Sequence, residues 1–570
     1  VRDRQSQGQE KKDVPVTKMT GGQALVGALH QHGVDTVFGL PGVQLDWLFN
    51  AFHDRRNQVR VIHSRHEQGV AYMAYGYAQA SGRVGAYAVV PGPGVLNTTA
   101  ALATAYACNS PVLCITGQIA SAHIGRGVGQ LHEIPDQLGV IERLTKWAAR
   151  ANHPTEIPGL VREAFRQMAS GRPRPVGLEI PPDILQLATE VDLGDVARPD
   201  PAPEPDPDAI AKAAKLLGEA KNPLIFVGSG GWDATEELLA LAEMLQAPVM
   251  ASRNGIGAID DRHYLSQKLQ AGWEMWATAD VVLGVGTRLS PNVPGWGVDS
   301  DLKIIRLDID PVEVTRNVRP DVGIVTTARR GLAALADAVA KTGTRRASRK
   351  DELTALQGKT RAFYEEKLAP QMAWIGALRR ALPDDVVIVD ELTQIGYVAR
   401  VGFPQYRPRS YITSGYQGTL GFGFATALGA KVACPDRPVV SITGDGGFMF
   451  NVQELSTAVQ NGIHLITVVF ADGAFGNVQR MQREDYGDRV IATDLHNPDF
   501  VRLAESFGAQ GARVETPAEL ETALARALRE PGPWLIEARV GRLPDPWPVL
   551  GVGRARGRQL ARGGGAGEAG

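Results

Sequence analysis

At 570 residues the chain is too long for one hydrophobic core, and about three domains are expected. Its 60 basic and 62 acidic residues leave a formal net charge of −2, so no basic excess points to nucleic acid or to an anionic membrane. At 44% hydrophobic residues, with no run of about 18 apolar residues, the chain is expected to be globular and to have no membrane partner.

The polar stretch 1–15 lacks the apolar core of a signal peptide and is expected to be disordered. Short β-branched runs then alternate with helical patterns, the mark of parallel α/β domains. A first domain, 16–190, carries strand candidates at Thr36–Gly39, Val59–Ile62, Gly85–Val90, Val112–Thr116 and Val176–Ile180. Helical stretches at Glu67–Ser81 and Val95–Ala107 lie between them. The Pro-rich run Pro199–Asp208 marks a boundary, since repeated Pro stiffens the chain and excludes helix.

A second domain, 205–342, has strand candidates at Pro223–Val227, Pro248–Ala251, Val281–Val285 and Lys303–Ile309. A charged helical region, Arg345–Lys367, leads to a third domain, 370–545, with strands at Val386–Val389, Val439–Ile442, Leu465–Phe470 and Trp534–Ala538. The tail 553–570, rich in Gly, Ala and Arg, is expected to be disordered. Three doubly wound parallel-sheet domains are the reading, with ligands expected at the carboxyl ends of the strands. Cys108, Cys114 and Cys434 lie in apolar surroundings without metal-ligand spacing and are expected to be buried thiols in a reducing cytoplasm.

The sharpest signal is in the third domain. RPVVSITGDGGFMF reads as a buried strand ending in Gly444-Asp445-Gly446-Gly447. HLITVVF is a second strand, ending at Asp472-Gly473-Ala474-Phe475-Gly476. Asp445 and Asp472, 27 positions apart, could supply hard oxygen ligands to a magnesium ion bridging carboxylate and phosphate. The glycines would let backbone N–H groups and a helix N-terminus approach the phosphate.

GDGGF followed by this turn resembles the fingerprint of the thiamine diphosphate superfamily that includes acetohydroxyacid synthase, pyruvate decarboxylase and benzaldehyde lyase. The resemblance implies thiamine diphosphate and Mg2+, with metal ligands Asp445, Asp472 and the Ala474 carbonyl. The usual Asn-Asn pair reads Ala471-Asp472 here, which keeps an oxygen ligand and adds a negative charge.

SRHEQGVAYMAYGYAQASG is the most specific match and implies that Glu67 hydrogen-bonds the cofactor's pyrimidine nitrogen. That contact favours the imino tautomer, which removes the thiazolium C2 proton. GYQGTLGFGFATALGA resembles the segment that bends the cofactor, with Leu420 as wedge and the Gly418 carbonyl as acceptor. The family's domains are pyrimidine-binding, central and diphosphate-binding, and its active sites lie between subunits. A homodimer or homotetramer is therefore implied.

The motif wording VFGLPG, HEQ, TGQ and GDGGF is closest to the acetohydroxyacid (acetolactate) synthase branch. That branch decarboxylates a 2-oxo acid and joins the acyl fragment to a second carbonyl. Candidate pocket positions are Val43, His132, Glu133, Asn477 and Met481, although the branch's Gly-Met and Trp beyond the second turn are missing. For His132 and Glu133 the competing reading is ordinary surface loop. In the central domain GSGG, GVGTRL and LDIDP resemble a flavin-carrying domain, but LQAGWEMWATAD lacks the flavin-contact wording, which leaves FAD open. Two alternatives stand beside the carboligase. One is a non-carboligating decarboxylase, lyase or acyltransferase on the same scaffold; the other is a catalytically silent regulatory subunit, against which Glu67 argues.

Overall fold

The computed structural model describes residues 16–290 and 292–557. The stretches 1–15 and 558–570, where disorder was expected, lie outside the described residues. Residues 553–557 depart from that expectation. They pack on the central domain, where the Trp296 carbonyl accepts from the backbone N–H groups of Ala555 and Arg556 and Arg556 pairs with Asp299.

Three six-stranded sheets, every pairing within them parallel, follow one another along the chain. Each is doubly wound. The first runs, edge to edge, through Arg60–His63, Thr36–Gly39, Gly85–Val89, Val112–Gly117, Val176–Ile180 and Trp147–Arg150. The second centres on Pro223–Val227 and Val281–Val285, and the third on Val439–Gly444 and Ile466–Ala471. Their central strands are apolar on both faces because helices cover both sides. Thr17–Thr20 and Ala188–Val191 close the first domain with a small antiparallel pair.

The first and third domains share one core. Helix Glu67–Ser81 lies against helix Phe422–Ala433, and both are almost wholly buried. They meet backbone to backbone, because a Cβ on Gly76 would strike the Thr426 carbonyl and one on Gly429 the Met73 carbonyl. Two glycines between two and three helical turns from the motifs thus let apolar helices with Ala-rich faces approach closely. The consequence for function is positional, since one helix begins at Glu67 and the other directly after Gly421. Expected as one helix, Val95–Ala107 is broken into Pro93–Asn97 and Thr99–Ala107. Cys108 and Cys114 are buried and Cys434 is partly so; all three are free.

Candidate active site

Strand Val439–Gly444 ends at the GDGG turn, and its parallel neighbour Ile466–Ala471 ends at Asp472. Parallel pairing brings the two carboxylates side by side. Asp445 is buried and fully engaged: Gly446 N–H donates to Oδ1 at 2.9 Å, while Gly473 N–H (2.8 Å) and Asn497 Nδ2 (2.6 Å) donate to Oδ2. Asp472 accepts from Ala474 N–H at 3.2 Å. Burial, and then the neighbouring Asp445, push the Asp472 carboxyl up to about 7. Two acids so placed repel each other, and a divalent cation would relieve that repulsion.

Among the described residues no cluster of three or more His, Cys, Asp or Glu could hold a metal. A cation here would therefore draw its other oxygens from backbone, phosphate and water, which is how magnesium is usually held. The 472–476 turn is braced from below. Phe475 N–H donates to the Thr493 carbonyl at 2.8 Å and Leu495 N–H to the Gly473 carbonyl at 2.8 Å, with Ala474 between them.

The glycines of this turn are also required by local packing. Gly446 N–H is taken up by Asp445 itself, and a Cβ at Gly446 would stand 2.7 Å from the Phe475 ring. A Cβ at Gly447 would strike the Glu391 carboxylate. The helix that follows, Asp445–Phe448, is a single turn, so its dipole adds little.

Glu391 was not singled out from the sequence. It is buried, accepts from the Thr443 hydroxyl and Gly421 N–H, and its carboxyl is pushed up to about 7 by burial. It therefore touches the strand before Asp445 and the segment after Leu420 at once. Asn451 Nδ2 adds a bond to the Gly421 carbonyl at 2.5 Å. Gly418 and Gly421 hold φ values of +58° and +81°, which explains glycine there, and Leu420 remains partly exposed between them.

Glu67 opens its helix, half-buried, with Asn97 Nδ2 donating to Oε2 at 3.0 Å. Among the described residues no hydrogen bond joins Glu67 to the Asp445–Asp472 pair. The loop before Glu67 is held by Glu454, a fully buried acid from the third domain that sequence reading also missed. A helical Gly directly after HEQ, Gly69, was the available signal, since its Cβ would stand 2.7 Å from Glu454 Oε1.

The pocket candidates fall into two groups. Val43 is exposed, but Gln44 beside it donates to the Leu131 carbonyl at 3.0 Å and meets His132 Nδ1 at 3.1 Å. Glu133 braces its own loop, accepting from the N–H groups of Gly127, Gly129 and Gln130. Asn477 accepts from Trp547 Nε1 at 2.7 Å, and Met481 lies one turn further along the same helix. A cleft of about 120 Å³ opens beside Asp472 and Gly476, lined by Gln394, Arg480, Arg483 and Arg542.

Three family models cover the chain in order: the N-terminal TPP binding domain of thiamine pyrophosphate enzymes over 19–140, the central domain over 210–335, and the C-terminal TPP binding domain over 393–538. The chain belongs to the thiamine pyrophosphate enzyme family. It is 35% identical to a probable acetolactate synthase large subunit of Methanocaldococcus jannaschii, over 91% of each chain. To a probable 2-ketoarginine decarboxylase of Pseudomonas aeruginosa it is 34% identical, over 92% of this chain and 95% of the other. To the acetolactate synthase isozyme 3 large subunit of Escherichia coli it is 31% identical, over 90% and 92%. Within the family it is a thiamine diphosphate-dependent enzyme of the acetolactate synthase-like type.

Proposed function

We propose that the protein is a magnesium-dependent 2-oxo acid decarboxylating carboligase that transfers an acyl carbanion from a donor such as pyruvate to a second carbonyl. The observation that carries this reading is the pairing of Asp445 with Asp472 at adjacent strand ends, beside the glycine-gated segment 418–421. Asp445, Asp472 and the Ala474 carbonyl would hold Mg2+ on the diphosphate. Leu420 would support the bend, the Gly418 carbonyl would accept from the amino group, and Gly444–Gly447 and Phe475–Gly476 would line the phosphates. Thiamine diphosphate, when bound, supplies an electron sink for the carbanion left as carbon dioxide departs. Glu67 would hold a proton at the pyrimidine nitrogen, and Asn97 fixes the orientation of its carboxyl.

The site is completed, in this reading, by a second copy of the chain. Exposed apolar residues beside the motifs support it: Tyr416 and Phe450 flank the cofactor segments, and Leu96 adjoins the Asn97 that holds Glu67. The reading includes no flavin. At the switch point of the central sheet Gly230 N–H bonds the Gly286 carbonyl at 3.3 Å, and Arg288 and Arg172 pair with the buried Glu313. A colourless purified protein is the expected result.

The decarboxylase relative favours a second reading, decarboxylation without carboligation. A panel of 2-oxo acids with thiamine diphosphate and Mg2+, alone and with an aldehyde acceptor, read by mass spectrometry, separates the two. An aldehyde product with no new carbon–carbon bond would reject the carboligase. Glu67→Gln should bind cofactor and lose most turnover; full activity would refute the proposed function altogether.

A further inference from the structure

Glu454 is wholly buried in the third domain, nine residues beyond Asp445, yet its carboxylate serves the first domain. Oε1 accepts from Arg65 N–H at 3.2 Å and His66 N–H at 3.1 Å. Oε2 accepts from Arg65 N–H at 3.1 Å and from the Thr457 hydroxyl at 2.6 Å. These backbone donors belong to the two residues immediately before Glu67. A carboxylate with no basic side chain among these partners, turned to two consecutive N–H groups, acts as a cap delivered from another domain.

The start of the helix is fixed from its own side as well. His66 Nδ1 accepts from Gln68 N–H at 3.1 Å and the Ser64 hydroxyl donates to the His66 carbonyl at 2.7 Å. Gly69 leaves room for the Glu454 carboxylate one turn along, and no larger residue would, since a Cβ would come within 2.7 Å of Oε1. Burial pushes the Glu454 carboxyl up, and the Thr457, Arg65 and His66 donors pull it back.

We propose that Glu454 is a positioning residue for the activating carboxyl: its bonds to Arg65 and His66 set where Glu67 points. The inference rests on the reading of Glu67 given above. If it holds, Glu454 governs proton removal at the cofactor without touching it, and the cofactor's diphosphate end is unaffected. Geometry of this kind is sensitive, because a displacement of about 1 Å at a reacting group can cost about 100-fold in rate.

The test measures hydrogen–deuterium exchange at the thiazolium C2 of bound thiamine diphosphate in the holoenzyme, by acid quench and proton NMR. Cofactor affinity is measured in parallel by fluorescence quenching. Glu454→Ala should slow exchange about 10- to 100-fold with cofactor affinity changed less than about threefold. Glu454→Gln, which keeps an acceptor toward His66, should recover most of the rate. Gly69→Ala should slow exchange in the parent protein and add little in Glu454→Ala, which keeps the test open should either single variant fold poorly. Exchange at the parent rate in Glu454→Ala, or affinity falling in step with rate, overturns the positioning role. Glu67→Gln in the same assay separates the two readings: unchanged exchange there refutes the role of Glu67 itself, whereas slowed exchange there with parent-like Glu454→Ala refutes only this inference.

Discussion

Replacing Gly76 by Ala tests the central packing of the molecule. The added Cβ would stand 1.9 Å from the Thr426 carbonyl oxygen, and the matching site, Gly429, is equally tight against the Met73 carbonyl. Both obstacles are helix backbone, so no side chain can swing away. The helices must part by about 1.5 Å before the contact becomes ordinary, and overpacking of this kind typically costs about 1–3 kcal/mol. Ala is the better helix former by about 1 kcal/mol, which offsets part of that cost. Gly358 is the control, an exposed helical glycine with nothing within 4 Å of its Cβ position. There Ala should stabilise by about 0.5–1 kcal/mol. Because a chain of three domains need not unfold in one step, urea midpoints of the two variants are compared side by side. Gly76→Ala should unfold earlier than the parent and Gly358→Ala at the same point or later. A Gly76→Ala midpoint at or above that of Gly358→Ala would refute the backbone contact between these helices.

Glu391 predicts a pH dependence. Its carboxyl ionises near 7 in the folded chain against an ordinary 4.5, so the folded state holds the proton longer, and stability from this group is lost as pH rises from about 4.5 to 7. Glu391→Gln should remove that slope, which cannot exceed about 1.4 kcal/mol per pH unit; melting curves of parent and variant that stay parallel from pH 5 to 8 would contradict it. Asn497→Ala deletes the 2.6 Å donor to Asp445, and a bond to a charged group is worth about 1.5–3 kcal/mol. Calorimetry should accordingly find thiamine diphosphate–magnesium bound at least about tenfold more weakly, and equal affinity would show the bond to be idle. Asp472→Asn keeps an oxygen on the turn while removing the charge that faces Asp445. We expect the metal-free protein to melt higher and magnesium affinity to stay within about tenfold; a loss beyond about 100-fold would mean the second charge is required.

Legibility of the fold followed position within each sheet. Interior strands such as Val112–Gly117, Val281–Val285 and Ile466–Ala471 are continuous β-branched runs buried on both faces, and each was read within two residues. Five of the six sheet edges were missed: Trp147–Arg150, Ser266–Gln267, Val322–Val325, Tyr411–Ile412 and Gln510–Val514. An edge strand pairs on one side only, is often short, and is partly wet. Two of these are two residues long, and WAAR and QGARV are half-exposed mixtures with no alternation to detect.

The site divides along a similar line, with sequence distance in place of burial. Glu67, Asp445 and Asp472 each sit at the end of an element whose local pattern announces the turn, so a short window suffices to find them. Glu391, Glu454 and Asn497 act on partners 30, 389 and 52 positions away, and only the fold brings them there. Two of the three are buried acids satisfied chiefly by backbone N–H or hydroxyl groups rather than by Lys or Arg. Such an acid leaves no complementary charge elsewhere in the chain to betray it. What it does leave is a missing side chain on its partner, at Gly69 for Glu454 and Gly447 for Glu391. A glycine that local conformation does not require, next to a catalytic motif, therefore marks a close approach, while the identity of the approaching group is set by tertiary structure alone.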